Sequence, residues 1–311
     1  MMRLLFSLLL ACVCTLAAAQ ETRRLVVPAP PGGNLDRTAR LIAQRMSAVT
    51  HDVYIVENRP GANTMIATEL VAKSPPDGRT LLLGATSLVM ISSLQKTSLS
   101  PLQDLVPVMQ ISSERYGLAV PVGSPLRSLA DVQVFASTNG PGINCLSVPG
   151  TTLIACEQLK HAVGGKSVTV PYAGVAPALT ALVGGHGDVM FVHMEAGVKL
   201  SESGKIRLLG VSHRDGLPAA VAGLPLLSQT WPDMFLEGFS GVFVPAGTPP
   251  GRIRELNRDL NLAQSDPGFK AALREAGQDS IGGTPEHFAE TTRRLSQRYE
   301  SLIRKLDLGP R

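Results

Sequence analysis

Runs of Lys or Arg are absent from this chain, and aromatic residues make up only 4% of its 311 positions. The 29 basic residues barely exceed the 25 acidic ones. A nucleic-acid surface needs a concentrated positive field with stacking platforms, so that class is disfavoured. Beyond the N-terminal segment no stretch approaches the ~18 uninterrupted apolar residues of a spanning helix. Catalytic signatures are missing too. No P-loop occurs, and Gly140-Pro141-Gly142 lacks the third glycine of a dinucleotide fingerprint. Gly238-Phe239-Ser240-Gly241 does not complete a serine-hydrolase elbow. The spacing of His186, Asp188 and His193 fits no named metal site. No metal, cofactor or catalytic set is expected. The chain reads as a binder, the alternative being an exported enzyme of similar two-domain shape.

Met1-Met2-Arg3, an apolar run to Leu16 and Ala17-Ala18-Ala19 before Gln20 have the pattern of a cleavable secretory signal over residues 1–19. The mature protein is therefore expected to be exported. Cys145 and Cys156 then remain, on an expected strand and the helix after it. An oxidising compartment permits a bridge between them, and two buried thiols are the other possibility.

Strand-like runs alternate with helical patterns, which predicts α/β architecture built from βαβ units. Residues 20–121 with 239–311 are expected to form one domain and 122–238 a second. Gly117–Val120 and Phe239–Val244 would be the two strands of a hinge, with ligand between the domains. At the C-terminus Thr284 should cap a helix that begins with Pro285.

The most informative run is Val26-Val27-Pro28-Ala29-Pro30-Pro31-Gly32-Gly33-Asn34-Leu35-Asp36. A strand enters a Pro/Gly loop, and a helix follows with Asn34 as its expected cap and Leu35, Ala39, Ile42 and Met46 on one face. Free N–H groups and the positive end of the helix dipole make such a loop a site for an anionic group. Gly32 and Gly33 leave room for a ligand to approach the main chain. Few Arg or Lys residues present themselves as pocket-facing, so anion capture is expected to rely on N–H groups and water, with mild salt dependence.

Longer strings carry a family resemblance. Pro31-Gly32-Gly33-Asn34-Leu35-Asp36, Val56-Glu57-Asn58-Arg59-Pro60-Gly61-Ala62, Pro76-Asp77-Gly78 and Val170-Pro171-Tyr172-Ala173-Gly174 resemble the Bug family of extracytoplasmic solute receptors. So do Gly184-Gly185 with Asp188-Val189-Met190-Phe191, and Pro245-Ala246-Gly247-Thr248-Pro249. These receptors are related to tripartite tricarboxylate transporters. The resemblance implies a periplasmic, monomeric two-domain Venus-flytrap protein with two mixed sheets and a two-strand hinge. Its ligand would be a small carboxylate or amino acid, passed to membrane transporter or sensor subunits.

It also implies a carboxylate held between Pro30-Pro31-Gly32-Gly33 in one domain and Gly150-Thr151-Thr152 in the other. Ser87 and Tyr172, each just after a strand, join the candidate ligand-binding set. Asp36 would meet the ammonium of an amino-acid ligand or, alternatively, complement the helix dipole. Asp188 would orient pocket waters or serve a turn. The chain departs from the family where Leu153-Ile154 stand in place of a histidine, and where Asn63-Thr64-Met65 replace glycines.

Overall fold

The computed structural model describes residues 20–310 apart from 98, 139–141, 165–166, 214–216, 218 and 276–277. The expected signal segment lies outside the described residues. The chain runs β1 (Thr22–Val27), α1 (Asn34–Thr50), β2 (Val53–Asn58), α2 (Met65–Ala72), β3 (Thr80–Ala85), α3 (Ser87–Leu94), α4 (Pro101–Asp104) and β4 (Leu105–Glu114). It continues with β5 (Tyr116–Pro121), α5 (Leu129–Thr138), β6 (Ile143–Ser147), α6 (Thr151–Val163), β7 (Ser167–Pro171), α7 (Val175–Val183), β8 (Val189–His193), α8 (Met194–Glu202), β9 (Ile206–Val211) and α9 (Leu227–Thr230). It closes with β10 (Gly238–Pro245), α10 (Pro250–Ser265), α11 (Pro267–Glu275), β11 (Gln278–Ser280) and α12 (Pro285–Lys305).

Two mixed sheets result, in the orders β11-β4-β10-β3-β1-β2 and β7-β6-β8-β5-β9. In the first, β1 pairs in parallel with β2 and β3, while β10 is antiparallel to β3 and β4. In the second, β6 is parallel to β7 and β8, and β5 is antiparallel to β8 and β9. Each sheet is buried on both faces, which is why its strands read as nearly continuous apolar runs. Helices pack through the periodic faces expected of them: Ala39, Ile42 and Met46 of α1, and Phe288, Leu295, Tyr299 and Leu302 of α12. Thr284 Oγ1 accepts from the His287 N–H at 3.2 Å, the expected cap.

The structure corrects two expectations of organisation. β5, which falls within the expected first domain of 20–121, is hydrogen-bonded inside the second sheet. The chain therefore crosses from sheet to sheet at Arg115, and returns at Glu237 just before β10. The expected hinge strands are each paired within one sheet, and the crossings are the few residues ahead of them. β4 was not anticipated. Pro107 interrupts its pattern, and proline demotes an internal strand in a sequence reading. In the sheet it falls opposite Phe243 at a register shift, where a missing donor is tolerated.

Side chains brace both crossings. The Tyr116 hydroxyl donates to Glu114 Oε2 at 2.7 Å, and the Tyr299 hydroxyl donates to the Glu237 carbonyl at 2.6 Å. Arg294 grips the Glu237 carboxylate with two N–H groups, and Arg115 pairs with Asp279. Burial pushes the Tyr116 hydroxyl well above its ordinary pKa, with the Glu114 charge adding to the effect, so it stays a donor.

Cys145 of β6 and Cys156 of α6 form a disulfide, with Cα atoms 5.7 Å apart. It closes a loop with a sequence separation of 11 and staples α6 to its strand. Replacing both cysteines by alanine should lower unfolding stability by about 3 kcal/mol on the loop-closure model. Urea denaturation under non-reducing conditions measures this, and an unchanged midpoint would show that the staple adds nothing.

Candidate functional site

Strand direction decides which loops meet. Ser240 lies opposite Ala85 and Gly238 opposite Glu114, so the crossings leave the first sheet at the carboxyl ends of β1 and β3. Tyr116 lies opposite His193, so they enter the second sheet at the carboxyl end of β8, and β6 is parallel to β8. The carboxyl edges of both sheets thus face the same hinge, which is where α/β proteins place ligands.

On the first edge lie Pro30, Pro31, Gly32 and Gly33 after β1, and Ser87 at the start of α3 after β3. Gly32 has φ +86°, a left-handed conformation that favours glycine. Gly33, not Asn34, is the N-cap of α1; Asn34 is the first helical residue, and its side chain accepts from Arg37 at 2.8 Å.

Asp36 is 2% exposed and shapes this loop. Its Oδ2 accepts from the Gly32 N–H at 2.9 Å and from Arg40 Nε at 3.0 Å, and its Oδ1 accepts from Asn58 Nδ2 at 2.9 Å. Asn58 also donates to the Ala29 carbonyl at 3.0 Å. Burial raises the Asp36 pKa, but the hydrogen bonds from Arg40, Gly32 and Asn58 outweigh it and hold the carboxyl below the ordinary range. The Gly32 N–H is therefore committed to Asp36. The donors facing outward are those of the following helical turn, whose N–H groups have no partner four residues back.

The residues around Asn58 explain the most distinctive string of the sequence. Glu57 accepts from Arg24 Nε at 2.8 Å and from Arg59 Nε at 2.6 Å. The Arg59 N–H donates to the Val27 carbonyl at 2.8 Å. Glu57-Asn58-Arg59 is a buttress under the first loop. Sequence reasoning used the string only as a family mark and did not assign Asn58 a place in the site. In the next turn Asn63 and Thr64 hold φ of +50° and +80°, so this left-handed segment is built without glycine at either position.

On the second edge Gly150 has φ +101° and is the N-cap of α6. Thr152 Oγ1 donates to the Val148 carbonyl at 2.9 Å and accepts from its N–H at 3.1 Å, which fastens the loop to itself. Thr151 is buried, and its hydroxyl adjoins those of Tyr116 and Tyr299 at the hinge. Tyr172 joins this edge through its N–H, which donates to the Ser147 carbonyl at 2.8 Å. Ser147 itself is fully buried, and its Oγ has no hydrogen-bond partner among the described residues. Nothing in the sequence marked it beyond a polar residue ending an apolar strand.

Asp188 is not part of this gathering. It precedes β8 at the amino edge, where its N–H donates to the Asn144 carbonyl at 2.9 Å and its Oδ2 accepts from the Asn144 N–H at 2.7 Å. Ser147 lies three positions further along β6 than Asn144, roughly 10 Å of extended chain. It anchors a turn on the far side of the sheet.

A groove of about 640 Å³ opens beside Asn34 rather than over the two loops. Its walls come from α1 and α11 on one side and α8 on the other, and Arg37, Arg40, Lys199 and Glu275 line it. Lys199 Nζ reaches across to donate to the Glu275 carbonyl at 3.1 Å. Arg37 and Arg40 stand three residues apart on α1, on the face that lines this groove.

Two α/β bodies with facing carboxyl edges define a two-domain binding protein of the periplasmic type. The chain belongs to the tripartite tricarboxylate transporter family receptors, whose family model it matches over residues 38–308. It is 32% identical over 290 residues to a UPF0065 protein from the tcbD-tcbE intergenic region of Pseudomonas sp. (strain P51), covering 89% of this chain and 84% of the relative. It is 29% identical over 290 residues to BugT of Bordetella pertussis, covering 91% and 88%. Among solved structures, Rpa4515 of R. palustris with adipate superimposes with a TM-score of 0.83 at 27% identity, over 94% of this chain and all of the other. The periplasmic binding protein BugD shares the fold, with a TM-score of 0.82 at 23% identity over 94% and 99%.

Proposed function

We propose that this protein is an extracytoplasmic solute receptor that captures a small carboxylate between its two domains and closes on it by population shift. The observation that carries the reading is the pair of glycine-led helix N-termini, α1 and α6, on carboxyl edges that face one hinge. The adipate held by the relative from R. palustris supports the ligand class.

In this reading Pro30, Pro31, Gly33, Ser87, Gly150 and Tyr172 surround the ligand. Gly32, Asp36, Thr151 and Thr152 hold the loops in shape. Asp188 is left out. The domains are 20–115 with 237–311, and 116–236. Residues 1–19 direct export to the periplasm, the receptor acts as a monomer, and it hands an unchanged ligand to transporter or sensor subunits in the membrane. The reading requires no covalent step, metal or cofactor.

Thermal-shift measurements against mono-, di- and tricarboxylates and amino acids test it. A ligand at about 100 times its Kd adds about 2.7 kcal/mol of stability and raises the Tm visibly. Recovery of the ligand unaltered is the expected result, and its conversion to product would replace a receptor with an enzyme. A folded sample that responds to no carboxylate would remove the carboxylate reading.

A further inference from the structure

The second ligand loop and the hinge share one helix. We propose that α6 couples them: its stripe of Thr151, Ile154 and Gln158 sets the arrangement of the two bodies, and Thr151 and Gln158 are positioning residues for ligand capture. The inference rests on the receptor reading above and deepens it.

Helix periodicity makes the stripe. Positions 151, 154 and 158 are spaced three and four apart, so they share one face of α6. All three are buried. The core of the second body is met by a different face, through Ala155, Cys156 and Leu159. Burial of the stripe therefore comes from elsewhere, and each member finds its partner at the hinge or in the first body.

Thr151 stands at the ligand end. Its hydroxyl adjoins those of Tyr116 on β5 and Tyr299 on α12. Tyr116 donates to Glu114 beside the first crossing, and Tyr299 donates to the Glu237 carbonyl in the second. The crossings run side by side, since a Cβ at Gly238 would lie 3.1 Å from the Tyr116 hydroxyl. One hydroxyl at the start of α6 thus meets the ties of both crossings.

Ile154, one turn along, is buried in the same cluster as Phe239, Phe288 and Tyr299. Among the described residues it is the one buried member of that cluster from the second body. Gln158 lies roughly 10 Å of helix rise beyond Thr151. Its Nε2 donates to the Phe235 carbonyl and its Oε1 accepts from the Phe235 N–H, both at 2.9 Å. The Phe235 ring packs edge-on against Tyr299 at 5.5 Å. The amide therefore clamps the second crossing from one side, while Tyr299 and Arg294 hold it through Glu237 from the other.

Rotating the second body about the crossings slides this stripe against α12 and residues 235–237. The N–H groups of the first turn of α6 are ligand donors, so the seating of the stripe decides how they face α1 across the cleft. A ligand that sits on both loops selects one seating, and the stripe fixes how often that seating is populated without ligand.

Spin labels at Val134→Cys on α5 and Leu262→Cys on α10, exposed positions on opposite bodies, read the interdomain distance with the native disulfide intact. The ligand-free wild-type background should give one narrow distribution. Thr151→Val keeps the side-chain shape and every backbone N–H, and Gln158→Leu keeps the volume; each should broaden and shift the distribution. In calorimetric titration with adipate each should bind about tenfold more weakly, as when the competent arrangement is populated one-tenth as often. Cys145→Ala with Cys156→Ala loosens α6 from its other face and should leave the distance unchanged.

Unchanged distances in Thr151→Val and Gln158→Leu would overturn the inference. So would an equal shift on loss of the disulfide, which would assign the effect to general loosening of α6. Shifted distances with wild-type adipate affinity would break the coupling and overturn it as well. A wild-type protein that does not bind adipate would count against the carboxylate reading, and the ligand-free distances then decide the inference alone. Circular dichroism establishes that each variant is folded, and Thr151→Val carries the test if Gln158→Leu does not fold.

Discussion

Asp36→Ala should weaken carboxylate binding by roughly a hundredfold, because it releases the first loop from the shape in which it is preorganised. Three donors converge on that carboxylate: the Gly32 N–H, Arg40 Nε and Asn58 Nδ2. Truncation leaves the Gly32 and Asn58 groups without their acceptor at a site 2% exposed. The expected loss of stability is about 2 to 3 kcal/mol, the scale of hydrogen bonds to a charged group.

The sign of the pH dependence follows. The folded-state pKa of Asp36 is depressed, so its contribution is fully present above the unfolded carboxylate value. It is lost as pH falls through the folded value, in the acid range below about pH 4. Asp36→Asn should flatten that part of the stability profile. It should also weaken plain carboxylates and amino acids alike, since the side chain is spent on the loop. A selective loss of amino-acid binding would instead assign Asp36 to the ligand's ammonium group. Chemical denaturation across pH and titration of both ligand types make the distinction.

The second large effect is expected at Gly241. A Cβ built there would lie 2.1 Å from Phe288 Cζ and 2.9 Å from the Met109 carbonyl. The ring cannot easily retreat. Phe288 packs edge-on against Phe239 at 5.3 Å and at a tilt against Phe243 at 4.9 Å, and all three are fully buried. The carbonyl belongs to β4, on which β10 is hydrogen-bonded, so it cannot move without opening the ladder. Gly241→Ala should destabilise the protein by about 3 kcal/mol, the upper end of ordinary overpacking. Gly251→Ala is the control: it meets nothing within 4 Å in α10 and should be neutral or slightly stabilising. A Gly241→Ala protein as stable as the wild type would mean that Phe288 does not occupy this place.

Helix α1, its Pro/Gly entry loop and the α/β class were legible because each depends on residues close in sequence. The apolar face of α1 repeats at helical spacing, and its partners are whatever sheet it lies on. Gly32 and Gly150 were visible as loop glycines, and both adopt the left-handed backbone that sequence alone associates with glycine. β4 was not legible, because its proline is harmless only opposite a register shift supplied by β10. The disulfide stayed open for a similar reason. Whether Cys145 and Cys156 can meet depends on how α6 lies on β6, and their 5.7 Å Cα separation is a product of that packing.

Sequence alone determined an α/β chain with glycine-led strand–loop–helix connections and a family resemblance running along most of its length. Tertiary structure decided which of the marked residues share a place. Asp188 went to the opposite end of its sheet because β6 and β8 run parallel, with Asn144 beside it and Ser147 three residues away. Asn58, twenty-two residues from Asp36, came under the first loop because β2 lies beside β1. Arg37 and Lys199 became walls of one groove only through the stacking of two bodies about Arg115 and Glu237. Local pattern reports backbone preference and the side that faces a core. Strand direction and domain contact belong to pairs of distant segments, and no short window of residues contains them.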